Sequence, residues 1–201
     1  MKTTNVDRLL LLTTVLIAAY QVAVGIDGLS TLPITAYTIG FGVLLVAGLL
    51  MIILGFEVLD SPLVVIASTV IPLSLSLGLV WEYVATWRTL YLIFVLFGFL
   101  VVVLTRSLPV AQRWQTLVLA LVHGVSGLVI FLLPLVLAFD GQVLPGFALV
   151  GLGGGLIGVG GLLLSFLKIG KPILPRETIF RILPGLLLLM TAAFVAGFAF
   201  R

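Results

Sequence analysis

The sequence predicts an all-α integral membrane protein, with seven transmembrane helices in a 3+1+3 parallel internal repeat, the N-terminus inside and the C-terminus outside. Three observations carry this expectation. The residues are 62% hydrophobic and only 8% charged, with a mean hydropathy of +1.42, whereas soluble domains carry about 25% charged residues. Seven apolar runs are each long enough for a bilayer core of about 30 Å, which needs about 20 residues at 1.5 Å per residue. Finally, Asp27-Gly28-Leu29-Ser30-Thr31-Leu32-Pro33 returns, one residue shorter, as Asp140-Gly141-Gln142-Val143-Leu144-Pro145.

Span one, 9–26, follows Lys2 and Arg8. Its run exceeds the 7–15 residues usual for a signal-peptide core, so Ala23-Val24-Gly25 is not read as a cleavage site and the helix is expected to stay. Span two, 34–56, opens after the first Asp-Gly turn and carries Gly40, Gly42, Ala47 and Gly48. Span three, 62–83, contains Pro72, which removes a backbone donor and favours a kink. Ser68, Thr69, Ser74 and Ser76 lie around it, hydroxyls of the kind that re-satisfy opened backbone in membrane helices. Trp81 and Tyr83 at the end of span three, and Trp87 and Tyr91 at the start of span four, 87–105, mark a water–lipid boundary. Only Glu82-Tyr83-Val84-Ala85-Thr86 separates the two spans, so a tight turn is required, with Glu82 and Arg88 placed to pair across it.

Span five, 115–139, starts beside Trp114 and carries His123 and Pro134. Span six, 144–168, follows the second Asp-Gly turn, and its Gly153, Gly155, Gly160 and Gly161 fall on Gly40, Gly42, Ala47 and Gly48. Span seven, 179–200, carries Leu183-Pro184-Gly185, the counterpart of Ile71-Pro72-Leu73. The chain is thus expected to form one transmembrane domain, 1–201, with repeat one at 9–83, a linker helix at 87–105 and repeat two at 115–200.

Charge fixes the expected orientation. Lys2, Arg8, Arg106, Arg113, Lys168, Lys171, Arg176 and Arg181 fall on one side of a seven-span chain, and only Arg88 and Arg201 on the other. The positive-inside rule then places the N-terminus in the cytoplasm of a cell (inner) membrane. A single intervening span restores the direction of the second triplet, which makes the repeats parallel. This layout resembles that of the SWEET sugar facilitators. The resemblance is one of layout, carries no residue role, and implies a substrate site between repeats near the midplane.

Several chemistries are disfavoured. With no cysteine, the chain offers no disulfide, thiolate ligand or thiol nucleophile. Asp27, Glu82 and Asp140 lie at the outer edge, and Asp7, Glu57, Asp60 and Glu177 at the inner one. No pair of acids falls within the membrane core, where ion-coupled transporters and pumps place them. Span seven lacks the lysine that would attach retinal. Gly124-Val125-Ser126-Gly127 matches the Gly-x-Ser-Gly around the rhomboid protease nucleophile, but no histidine follows to serve as its base. No basic stretch with interleaved aromatics suggests nucleic acid.

Four groups of residues remain as candidates. Gly151, Gly154, Gly155, Gly158 and Gly161 form one face of span six, suited to close helix packing within the bundle or against a partner subunit. Tyr20, Gln21, Ser68, Pro72, Ser74 and Pro184 mark a solute path, with Pro72 and Pro184 at corresponding repeat positions. His123, with Gly124 and Gly127 beside it, is read as a hydrogen-bonded structural residue, a contact for haem, a chlorophyll-type pigment or quinone, or a proton relay. Lys168, Lys171, Arg176 and Arg181 suit anionic headgroups or an acidic partner surface. The expected role is a non-enzymatic structural or accessory subunit of a larger membrane complex, with other membrane subunits or a homo-oligomer as partners. The alternative is a facilitator for a small neutral solute.

Overall fold

The computed structural model describes residues 3–168 and 170–201; Lys2 lies outside the described residues, as does the side chain of Lys168. Among the described residues there is no strand, and seven helices are long and apolar enough to cross a membrane. They are α1 (Asn5–Val24), α2 (Thr31–Leu54), α3 (Pro62–Tyr83), α4 (Arg88–Ser107), α5 (Gln112–Phe139), α6 (Ala148–Lys168) and α7 (Arg176–Phe198). The chain is a multi-pass membrane protein.

The helix ends follow capping chemistry rather than the limits of the apolar runs. α1 begins before its apolar stretch because Thr4 and Asp7 form a capping box: Asp7 N donates to Thr4 Oγ1 at 3.2 Å and Thr4 N to Asp7 Oδ2 at 2.8 Å. Gly25 and Gly55, at φ +73° and +78°, close α1 and α2 by turning the chain into a conformation that side chains resist. A short 3-10 turn, Phe56–Asp60, then leads to Pro62 at the first turn of α3, where its missing N–H costs nothing. The tight connection between α3 and α4 is a 3-10 turn at Ala85–Trp87. Arg88 Nε donates to the Trp81 carbonyl there and the guanidinium sits 5.7 Å from the Trp81 ring centre; the expected contact with Glu82 is replaced by these two.

α3, α5 and α7 remain helical through Pro72, Pro134 and Pro184. The hydroxyls near Pro72 bond locally: Ser68 and Thr69 donate to Val65 O, and Ser76 donates to Pro72 O at 2.6 Å.

Packing runs α1 to α2 to α3, then α3 to α5, α5 to α6, α6 to α7, and α7 back to α1, which closes a ring of six helices. α4 packs on α3 and α5. Exchanging α1 with α5, α2 with α6 and α3 with α7 maps this ring contact pattern onto itself. The two Asp-Gly turns also match, with Gly28 and Gly141 both at φ +70°.

Inside the ring, the half nearer these turns is filled by Tyr37, Phe41, Phe147, Phe194 and Phe198. Phe198 lies 4.6 Å from Tyr37, 6.3 Å from Phe41 and 6.1 Å from Phe147, measured between ring centres. A second cluster, Leu73, Val80, Tyr91, Val95, Val102 and Val122, seats α4. A third, with Leu11, Met51, Phe56, Phe180 and Leu183, seals the opposite end, where Phe56 and Phe180 stack at 5.3 Å.

Candidate functional site

α5 and α6 cross so closely that side chains are excluded at the contact. A Cβ on Gly151 would lie 2.7 Å from Phe131 O, and one on Gly154 would lie 2.8 Å from backbone atoms of Ile130 and Phe131. Gly155 is looser, 3.3 Å from the Phe131 ring. This is small-residue packing of the kind that holds helices together in lipid, where no hydrophobic force acts between them.

One turn further along, the same two faces part. Gly158 and Gly161 continue the α6 face at spacings of four and seven residues from Gly154. Gly127 and Gly124 continue the α5 face at the same spacings from Phe131. None of the four has a neighbouring atom within 4 Å of where a Cβ would stand. The result is an open notch with glycine walls, bordered by exposed Leu121, Leu128, Val159 and Leu162. The span-six glycine face is therefore divided: Gly151 and Gly154 serve the bundle, while Gly158 and Gly161 touch nothing in it.

His123 stands beside this notch, half-buried, between Gly124 and the α4-facing Val122. Its Nδ1 lies 3.1 Å from Leu119 O. In the tautomer that donates to this carbonyl, Nε2 keeps the lone pair a metal centre or a hydrogen-bond donor would use. Ser126 does not pair with it. Ser126 is fully buried, and the Tyr91 hydroxyl lies near those of Ser126 and Ser76, although neither Tyr91 nor Ser126 attains hydrogen-bond geometry. Sequence reading missed this hydroxyl cluster because Tyr91 reads as an interfacial aromatic and nothing in the register of three separate helices links it to Ser76 and Ser126.

The residues of the expected solute path are not gathered around one space. Tyr20 points outward, 58% exposed. Gln21 is buried but donates to Gly25 O at 2.7 Å, within its own helix end. Ser68 lines a shallow apolar groove of about 340 Å³ on the outer side of α2 and α3, with Gly42, Ala47 and Ala67. Ser74, Pro72 and Pro184 are buried among packed side chains. The basic residues fare differently: Lys171 and Arg181 are exposed, and Arg176 reaches Asp60 at 3.8 Å beside a cavity of about 110 Å³. Among the described residues, no three His, Asp or Glu side chains converge as a metal site would require.

Tyr37, whose hydroxyl suits an uncharged-solute path or a bridge between helices on sequence alone, is packed inside the ring. Its ring lies flat against Gly78, where a Cβ would come within 2.5 Å, and its hydroxyl is buried without a partner. An unmade hydrogen bond at a buried polar group costs about 1–3 kcal/mol. Tyr37→Phe is therefore expected to raise stability by about 1 kcal/mol, seen as a higher melting temperature in detergent. A lower one would show that the hydroxyl is used.

No protein-family model matches the chain, and no curated protein or solved structure is detectably similar to it.

Proposed function

We propose that this membrane protein is a non-enzymatic structural or accessory subunit of a larger complex, and that the notch between α5 and α6 receives a helix of a neighbouring subunit. The observation that carries the reading is the open quartet Gly124, Gly127, Gly158 and Gly161. Glycine inside a helix costs up to about 1 kcal/mol relative to alanine. Four such residues with no neighbour are an expense without return in the isolated bundle, and they suit a second backbone approaching closely. The filled interior and the scattered polar residues fit the same reading. His123, whose Nε2 keeps a lone pair in the tautomer that donates to Leu119 O, is the residue through which a pigment or quinone held by the assembly would be contacted.

A facilitator of small neutral solutes is the second reading. It is favoured by the ring contact pattern, which maps onto itself as two parallel three-helix repeats about an axis along the membrane normal would. In both readings the N-terminus lies on the cytoplasmic side of the inner membrane. Arg8, Arg106, Arg113, Lys171, Arg176 and Arg181 then flank the cytoplasmic ends, against Arg88 and Arg201 outside.

The test is the composition of the particle that a tagged copy brings out of its native membrane in mild detergent. Stoichiometric co-purification with other subunits is expected. A lone monomer or homodimer overturns the subunit reading and makes solute uptake in liposomes the next measurement.

A further inference from the structure

At the end of the bundle where α2 turns into α3 and α6 into α7, a cavity of about 110 Å³ is lined by Leu59, Asp60, Leu164, Leu167, Arg176 and Phe180. A single water needs roughly 10–15 Å³ on this kind of measure, so the space admits a group of several non-hydrogen atoms. Its walls are of two kinds. Leu59, Leu164, Leu167 and Phe180 make an apolar floor, while Asp60 and Arg176 bring one carboxylate and one guanidinium to the rim. These two charges are 3.8 Å apart and largely exposed. Charge-assisted hydrogen bonds run at about 2.7–2.9 Å, so the pair is held near each other without closing. Arg176 is kept at the rim by Phe180, whose ring centre lies 5.3 Å from its guanidinium carbon.

We propose that this cavity binds the headgroup of a zwitterionic aminophospholipid, phosphatidylethanolamine in chemistry, from the leaflet that meets these connections. The phosphate accepts from Arg176 and the primary ammonium donates to Asp60. A two-carbon link holds the lipid's opposite charges a few ångströms apart, the scale on which the rim presents its own. A purely anionic headgroup would meet the Asp60 carboxylate without a partner for it. The wider surroundings agree: among the described side chains of the two connections and the first turns of α7, Lys171, Arg176 and Arg181 are matched by Glu57, Asp60 and Glu177. The site is independent of whether the protein serves as a subunit or a facilitator.

The test uses the full chain, purified in mild detergent and titrated with phosphatidylethanolamine, phosphatidylcholine or phosphatidylglycerol, with bound lipid read by native mass spectrometry. Trimethylation removes the N–H donors that Asp60 would accept from. Retention of the ethanolamine lipid is therefore expected to exceed that of the choline lipid about tenfold, the equivalent of about 1.4 kcal/mol. Asp60→Asn should erase this preference and shift selection toward the glycerol lipid; Arg176→Gln should weaken retention of all three. Both side chains are exposed, so the melting temperatures of the variants should match that of the parent. Equal retention of ethanolamine and choline lipids by the parent chain, or selection of the glycerol lipid over both, overturns the proposal whatever the variants do.

Discussion

Gly154→Ala is expected to destabilise the bundle by about 1–3 kcal/mol, the usual cost of forcing extra volume into a packed site, whereas Gly158→Ala one turn away should leave it unchanged or stabilise it. The two positions share a helix, a face and a residue type. At Gly154 the new methyl would stand 2.8 Å from Ile130 C and Phe131 N. These are backbone atoms that no rotamer change can move, so relief requires α5 and α6 to separate. Separation would loosen every contact along that crossing, including Gly151 on Phe131 O. At Gly158 the methyl meets nothing within 4 Å, and alanine recovers up to about 1 kcal/mol of helix propensity. Melting of the two variants in the same detergent decides the matter. Equal losses would mean that the notch is closed in the folded protein.

The second large effect concerns the partner. Gly158→Leu, and Gly124→Leu across the notch, are expected to leave the isolated chain folded while reducing co-purification of its partner subunits by about tenfold or more. A leucine fills the space into which a neighbouring backbone would settle, and an overpacking cost of about 1–3 kcal/mol corresponds to a weakening of about 5- to 150-fold. Melting temperature and subunit stoichiometry, measured on the same preparation, separate this outcome from misfolding. A complex that survives both leucines places the interface elsewhere on the bundle, and the four glycines would then need another explanation.

Much of the architecture was legible because lipid imposes so few solutions. A segment that must satisfy its own backbone across about 30 Å becomes a helix of about 20 residues, and the seven runs became seven helices. The ends were less legible, since they depend on side chain to backbone bonds such as the Thr4 and Asp7 box and on the positive φ of Gly25 and Gly55. Hydropathy does not register either. The glycine face of span six could be read as a packing surface from its spacing, but its division could not. Whether Gly154 or Gly158 is covered depends on where α5 crosses, and that is set by Ile130, Phe131 and Leu135 on another helix. Tyr91 was hidden for a related reason: an aromatic near a span end looks like a boundary anchor until the neighbouring helices bury it.

The outlying position of α4 has a consequence for how such a protein can be assembled. Each crossing reverses the direction of the chain, so a second triplet of helices joined directly to a first would run the opposite way through the membrane. One additional crossing corrects this, and α4, which packs on α3 and α5 outside the ring, supplies it. Its duty is to return the polypeptide to the starting side, while the ring is closed by α1 against α7 and α3 against α5. The covalent link between the two triplets is thus a matter of biogenesis more than of architecture. Severed in the connection between Ser107 and Gln112, the halves would still carry complementary surfaces, and two separately synthesised polypeptides would have what they need to find each other in the bilayer.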